Sequence, residues 1–177
     1  MSEEKKKEIV RITKFVFFSI SAGIIEIVSF SLLTELSTLP YWPCYLTALV
    51  SHGGFNTLAS YQTSFLTGDK KATCSDQNNP DIYKKPMAGV ALCLPQTIGS
   101  TTGGMILFTA ADYGRQPACM LFANPIDSIG AAGVLLADIW TEAKMPTIDS
   151  LGEEFLSYVK TGMTINVKDG GIVEVDD

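Results

Sequence analysis

Two short apolar runs, each followed by a turn and a helix-forming segment, most strongly limit the folds open to this chain of 177 residues. The first run, Val90 to Leu94, is typical of a buried strand. It leads into the glycine-rich segment 99–104, after which residues 105–111 predict a buried helix that ends with Gly114 as its C-terminal cap. The second run, Ala118 to Ala123, predicts another strand. Units of strand, turn and helix indicate a mixed α/β domain.

The segment after the second run continues this pattern. Asn124-Pro125 predicts a helix N-cap followed by proline at the first helical position, with Asp127 in the first turn. This helix is expected to run to about Ile139, and residues 145–148 predict a third strand. Asp149-Ser150 then predicts the cap of a short helix. The apolar face of that helix is expected to hold Leu151, Phe155, Leu156 and Val159.

The C-terminal segment has the pattern of a β-hairpin. Residues 164–167 and 172–175 alternate in polarity around Asp169-Gly170-Gly171, a sequence that favours a tight turn between two strands. The second half of the chain is therefore expected to form a compact mixed α/β domain.

Composition excludes several classes of protein. Hydrophobic residues make up 46% of the chain and charged residues 18%, which excludes a disordered chain. The net charge is −6 and the sequence has no long basic stripe, so nucleic acid is not expected as a partner. The cysteines are scattered without a C-x-x-C pair and indicate free thiols in a reducing compartment. Because Cys93 and Cys119 fall in the apolar runs, we expect buried hydrophobic side chains rather than ligands, and no metal site in this chain.

The N-terminal region has a different chemistry. From Phe15 to Gly68 the only formal charges are Glu26 and Glu35. Within it, Phe15 to Leu33 is an apolar run of nineteen residues, close to the ~20 that a helix needs to cross a bilayer. The basic residues of segment 1–14 favour a cytoplasmic N-terminus. Two interpretations stay open: a membrane-spanning helix, or a buried helix packed on the α/β domain.

The same region resembles a membrane protein family. Residues 11–50 contain RITKFVFFSISAGIIEIVSFSLLTEL and then LPYWPCYLTALV. This texture resembles the first half of the GtrA-like family of small polytopic membrane proteins. The resemblance implies a hydrophobic, membrane-associated N-terminal region over residues 1–47.

The glycine-rich turn is the segment most suggestive of chemistry. In Gly99-Ser100-Thr101-Thr102-Gly103-Gly104, hydroxyl groups lie where a strand leads into a helix, beside unpaired N–H groups and the positive end of the helix dipole. An anion site and a plain capped turn are both compatible with this pattern. The turn is neither a P-loop nor a G-x-S-x-G elbow. The single histidine, His52, is expected to be bonded within a loop rather than to serve in a catalytic triad.

Residues 48–177 are similar to the swivel domain, or small subunit, of the aconitase X family. The similarity rests on several motifs in order: ALVSHGGFNTLAS, DQNNPDIYKKPMAGVALCLP, IGSTTGGMILF, GRQPACMLFANPIDSIGAAGVLLADIW and MPTIDSLG. It implies a swivelling β/β/α domain, here preceded by an apolar N-terminal helical segment. It also implies a hydro-lyase that dehydrates a small hydroxyacid, such as phosphomevalonate or a hydroxyproline, together with a large subunit that carries an iron–sulfur cluster.

The resemblance assigns roles to residues of this chain. Ser100 matches the serine that removes a substrate proton, and Gly99, Thr101, Thr102 and Gly103 are expected to surround the substrate. Gly53, Gly54 and Asn56 are the second set of expected substrate contacts, with a plain turn as the alternative. No cofactor is expected on this chain alone, and the catalytic domain is expected in the cytoplasm, with possible membrane association through residues 15–33. The competing function is a non-enzymatic GtrA-like membrane protein with a fused binding or inactive domain.

Overall fold

The computed structural model describes Lys14 and residues 46–168 and 170–176. The chain divides into two units, Met1–Trp42 and Pro43–Asp177, and the strands and helices named here belong to the second. The predicted membrane segment, Phe15 to Leu33, lies outside the described residues, as does most of the GtrA-like segment 11–50. Among the residues that are described, no helix combines the length and the apolar character needed to cross a membrane.

A six-stranded sheet forms the centre of the domain. Its strands are β1 (Leu46–Val50), β3 (Ala91–Leu94), β5 (Cys119–Phe122), β6 (Thr147–Ile148), β7 (Thr164–Lys168) and β8 (Ile172–Asp176). They lie in the order β6-β5-β3-β1-β7-β8. Neighbours from β6 to β1 are parallel, whereas β7 pairs antiparallel with both β1 and β8. Two short strands, β2 (Phe55–Asn56) and β4 (Thr97–Ile98), pair in parallel as a separate small sheet.

Helices fill the crossovers between the parallel strands, as parallel pairing requires. The helices are α1 (Thr57–Thr67), α2 (Gly103–Asp112), α3 (Ser128–Trp140) and α4 (Gly152–Tyr158). In chain order, α1 lies between β1 and β3, α2 between β3 and β5, and α3 between β5 and β6. Each small strand comes just before a helix, β2 before α1 and β4 before α2, so both helices start from the small sheet.

The alternation of side chains along β3 divides the core into two layers, because successive strand residues point to opposite faces. Leu92 and Leu94 belong to a cluster that also contains Tyr61 of α1 and Leu107 of α2. Cys93, between them, belongs to a second cluster with Leu156 of α4 and Ile165 of β7. The sheet is therefore buried on both faces at its centre.

The structure confirms the predicted mixed α/β class and most of the predicted elements. The two apolar runs form β3 and β5, and the glycine-rich turn leads into α2, beyond which Gly114 adopts φ +64°. Residues 145–148 contain β6, and the C-terminal pattern forms the hairpin of β7 and β8. Leu156 and Val159 are buried, and Leu151 and Phe155 pack against the same cluster, as expected for the face of α4.

Two predicted helix caps are wrong. Asp127, rather than Asn124, is the N-cap of α3, and its carboxylate accepts the N–H groups of Ile129 and Gly130. The carboxylate also bonds the distant Thr97, a tertiary contact that a local pattern does not contain. Asp149 does not cap α4, because its carboxylate accepts the N–H of Ile126 at 2.8 Å instead.

Ser150 does not cap α4 either. Leu151 is the residue at the N-cap position, and α4 begins at Gly152. Ser150 itself adopts φ +58°, a left-handed conformation at the turn that leads into the helix.

The buried thiols provide a test of the core. Burial raises the pKa of both Cys93 and Cys119 to about 12, and the neighbouring Cys119 adds to the shift at Cys93. Because the thiolate is the reactive form, we expect neither thiol to react with iodoacetamide in the native chain at mildly alkaline pH, and both to react in concentrated guanidinium. Peptide mass spectrometry would measure the labelling. An added cysteine at an exposed position, Ser157→Cys, is the positive control, and native labelling of Cys93 or Cys119 at the control rate would contradict the buried placement.

Candidate active site

The small sheet brings together the two predicted site segments, which are more than forty positions apart in the sequence. Asn56 pairs with Ile98, so residues 53–56 lie against the start of the turn that carries Ser100, residues 99–103. We call this segment the Ser100 turn. A methyl group added at Gly54 would lie 2.5 Å from Ile98 Cγ2, and one added at Gly99 would lie 3.3 Å from Asn56 Oδ1. Side chains at these two glycines would therefore collide with or press on the opposite segment.

Ser100 lies exposed on a tight turn. Gly99 adopts φ +110°, which an L side chain rarely adopts, and the N–H of Gly103 donates to the carbonyl of Ser100 at 2.8 Å. Around the hydroxyl, the N–H of Thr102 donates to Ser100 Oγ at 3.3 Å, and Ser100 Oγ donates to Thr102 Oγ1 at 3.3 Å. The backbone thus already directs one donor at the serine oxygen.

The start of α2 places a helix N-terminus beside this hydroxyl. Gly103 is the first residue of α2, and Thr102 precedes it. The first N–H groups of a helix have no partner within the helix and carry the positive end of its dipole. Thr101 and Thr102 are both exposed next to them. This end of α2 favours negative charge at the position of Ser100 Oγ.

The other predicted contacts have mixed positions. Gly53 is exposed and Gly54 half-buried, so a ligand can approach their backbone. Asn56 is half-buried, and its Oδ1 accepts the N–H of Ala59 at 3.1 Å as the N-cap of α1. Its oxygen is therefore occupied, which leaves its Nδ2 for a ligand. Gly103 is buried, and its N–H is already used within the turn.

Sequence reasoning missed the residues that support the Gly53–Gly54 loop. Buried Asn79 donates from Nδ2 to Ser51 Oγ at 2.8 Å, and Ser51 Oγ donates to the carbonyl of Gly53 at 2.7 Å. His52 is bonded within the loop region, as expected, because its N–H donates to Asp81 Oδ2 at 2.7 Å and its Nδ1 lies 3.2 Å from the same oxygen. The adjacent polar residues from Asp76 to Asp81 were the only sequence signal for this support.

The described residues do not form a metal site. Among residues 46–168 and 170–176, no cluster of three or more His, Cys, Asp or Glu side chains could hold a metal ion. The cysteines described, Cys74, Cys93 and Cys119, are all buried.

Comparison with known proteins gives a consistent family match. The family model described as the aconitase X swivel domain matches residues 48–175. The chain is similar to the phosphomevalonate dehydratase small subunit of Aeropyrum pernix, with 32% identity over 51% of this chain and 64% of that protein. It is also similar to the subunit of the same name from Methanothrix thermoacetophila, with 33% identity over 54% of this chain and 58% of that protein. The aligned part thus spans less than two thirds of the length of these curated relatives.

Solved structures share the fold. Aconitase X of Thermococcus kodakaraensis, in its holo-form, superposes with a TM-score of 0.59 at 24% identity, over 74% of this chain and 88% of that chain. A UPF0107 protein solved by NMR in solution gives a TM-score of 0.58 at 26% identity, over 74% and 89% of the two chains. The family match begins at residue 48, so it gives no support to the GtrA-like resemblance of residues 11–50 or to a membrane role.

Proposed function

This chain belongs to the aconitase X swivel domain family, and on that premise we propose that it is the small, swivelling component of a hydro-lyase. The reaction is the dehydration of a small hydroxyacid, with phosphomevalonate or a hydroxyproline as the substrates to test first. The observation that carries the proposal is the exposed Ser100 hydroxyl, held beside the N-terminus of α2 with the N–H of Thr102 directed at it. The assembly is expected in the cytoplasm, where free thiols persist.

Ser100 acts in this proposal as the base. A dehydration removes a proton from one carbon and a hydroxyl group from its neighbour. Ser100 Oγ, as the alkoxide, takes the proton and becomes a hydroxyl, while the electron pair of the C–H bond forms the double bond and the neighbouring C–O bond breaks to release hydroxide. The hydroxide then takes the proton from Ser100 and leaves as water, which restores the alkoxide. A serine alkoxide is far too basic to form freely in neutral water, so its surroundings must favour negative charge on the oxygen. The N–H of Thr102 and the first turn of α2 supply that stabilisation.

The substrate lies, in this proposal, over the place where the Ser100 turn and the Gly53–Gly54 loop meet. Gly99, Thr101 and Thr102 contact it from the turn, and the Nδ2 of Asn56 contacts it from the neighbouring strand β2. A substrate carboxylate or phosphate suits a site built from backbone N–H groups and hydroxyls. Gly103 contributes to the site through packing, since its N–H and its buried position leave it little contact with a ligand.

The partner is a large aconitase X subunit, to which we assign the iron–sulfur cluster. Clusters of this kind are held by cysteine thiolates. The three described cysteines of this chain do not fit that role, because among the described residues no three His, Cys, Asp or Glu side chains lie close enough together to hold a metal ion. The alternative of a non-enzymatic GtrA-like protein is not favoured by the family match.

Reconstitution tests this proposal. The chain purified alone is expected to show no dehydratase activity and no bound iron or sulfide, because the part of the chain that the structure describes contains no ligand set for a cluster. Mixed with a large aconitase X subunit, it is expected to dehydrate at least one of a panel of phosphorylated and unphosphorylated hydroxyacids. The ultraviolet absorbance of the unsaturated product measures the reaction. The matched control is the large subunit alone. Stoichiometric iron and sulfide in the isolated chain, or an assembled complex inactive on the whole panel, would contradict the proposal.

A further inference from the structure

The Asp127 carboxylate joins the strand before the Ser100 turn to a different helix. Asp127 Oδ2 accepts the N–H of Thr97 at 2.7 Å, and its Oδ1 accepts the hydroxyl of Thr97 at 2.5 Å. The same Oδ1 accepts the N–H groups of Ile129 at 2.9 Å and Gly130 at 3.1 Å, in the first turn of α3. Thr97 is buried and comes three residues before Ser100. One side chain therefore fixes both β4 and the start of α3.

The far end of the turn is fixed as well. Buried Thr57 donates its hydroxyl to the carbonyl of Gly103 at 3.1 Å. Gly103 and Gly104 also lie against the first turns of α3, since a methyl group added at Gly103 would lie 2.7 Å from Ile129 Cγ2. Ser100 is thus carried on a short span between two anchored ends. The Asp127 contact is the anchor at its start.

We propose that Asp127 is a positioning residue for Ser100. It holds β4 against α3, and so sets where the turn presents the Ser100 hydroxyl. This inference rests on the proposed function of Ser100. Only a carboxylate suits the position, because four donors converge on its two oxygens and an amide would direct an N–H₂ group at one of them.

The ionisation of Asp127 agrees with this role. Partial burial alone would raise the pKa of the carboxyl group, but the hydrogen bonds from Thr97, Gly130 and Ile129 outweigh burial and lower it below its usual value. At neutral pH the side chain is a carboxylate that can accept all four hydrogen bonds.

The first measurement uses the full chain alone. In Asp127→Asn, the N–H groups of Thr97, which donates to Asp127, and of Ile98, which pairs with β2, are expected to exchange with deuterium at least about tenfold faster than in the native chain, while the strands of the main sheet keep their protection. Thr97→Val removes only the hydroxyl bond and should give a smaller change in the same residues. Asp69→Asn is the matched control: Asp69 accepts the N–H groups of Lys71 and Thr73 after the C-terminal end of α1, remote from the turn.

The second measurement uses the complex with the large subunit. Asp127→Asn is expected to lower kcat about tenfold with KM and subunit association little changed, because misplacing a reacting group costs rate rather than binding. Asp69→Asn should keep native kcat. Equal loss of kcat in both variants, or unchanged exchange at Thr97 and Ile98 in Asp127→Asn, would overturn the positioning role. If the native complex is inactive, the proposed function fails, whereas the exchange measurement still decides the role of Asp127.

Discussion

Replacing Ser100 with alanine is expected to remove nearly all turnover of the reconstituted complex. Loss of a general base typically costs ~10² to 10⁴ in rate, and here the base is also the oxygen toward which Thr102 donates. Ser100 is exposed on its turn, so its removal leaves the core and the sheet intact. The measurement is kcat for Ser100→Ala with the large subunit, compared with the native chain under saturating substrate.

A control separates this loss from a general effect of removing a serine hydroxyl. Ser157→Ala removes an exposed hydroxyl that donates to the carbonyl of Glu153 on α4, and it should leave turnover unchanged. Both variants should co-purify with the large subunit in native proportion. Turnover near the native rate in Ser100→Ala would show that another group takes the proton.

The elements predicted correctly are those whose own sequence contains an apolar run or a regular alternation of polar and apolar residues. Local sequence is enough to predict the strand in Val90–Leu94 and the hairpin around Gly170-Gly171. Neighbouring residues determine the burial of the first and the turn of the second. Strands β2 and β4 have only two residues each, too few for any periodicity. They form because they pair with each other, and that pairing is a tertiary contact.

The same distinction explains what could be predicted of the candidate site. The Ser100 turn is visible because glycine and hydroxyl residues cluster between a strand and a helix. Its contact with Asn56 is not, since β2 must pair with β4 to create it. The role of Asp127 is even harder to predict from the sequence. Asp127 and Asn124 are both of residue types that commonly cap helices, and the contact that distinguishes Asp127 is its tertiary hydrogen bond with Thr97.

The close approach of α2 and α3 gives the second large effect, and Gly133→Ala tests it. In an ordinary helix, alanine in place of glycine stabilises by about 1 kcal/mol. At Gly133, however, the added methyl group would lie 2.7 Å from Leu107 Cβ and 3.0 Å from the carbonyl oxygen of Gly104. We therefore expect the opposite sign, a loss of about 1–3 kcal/mol in the free energy of unfolding, as in other overpacked cores.

Denaturant unfolding of the full chain would measure this loss. Gly53→Ala is the matched control, because the nearest described atom to its added methyl group is Asn79 Nδ2 at 4.0 Å. A Gly133→Ala chain as stable as the native one, or more stable, would mean that α2 and α3 can separate at little cost.

The Gly133→Ala substitution is also expected to affect the candidate site, since α2 begins at Gly103, within the Ser100 turn. A helix displaced from α3 takes its N-terminus away from Ser100, so the variant should lose kcat as well as stability, whereas a cavity elsewhere in the core would lower stability alone.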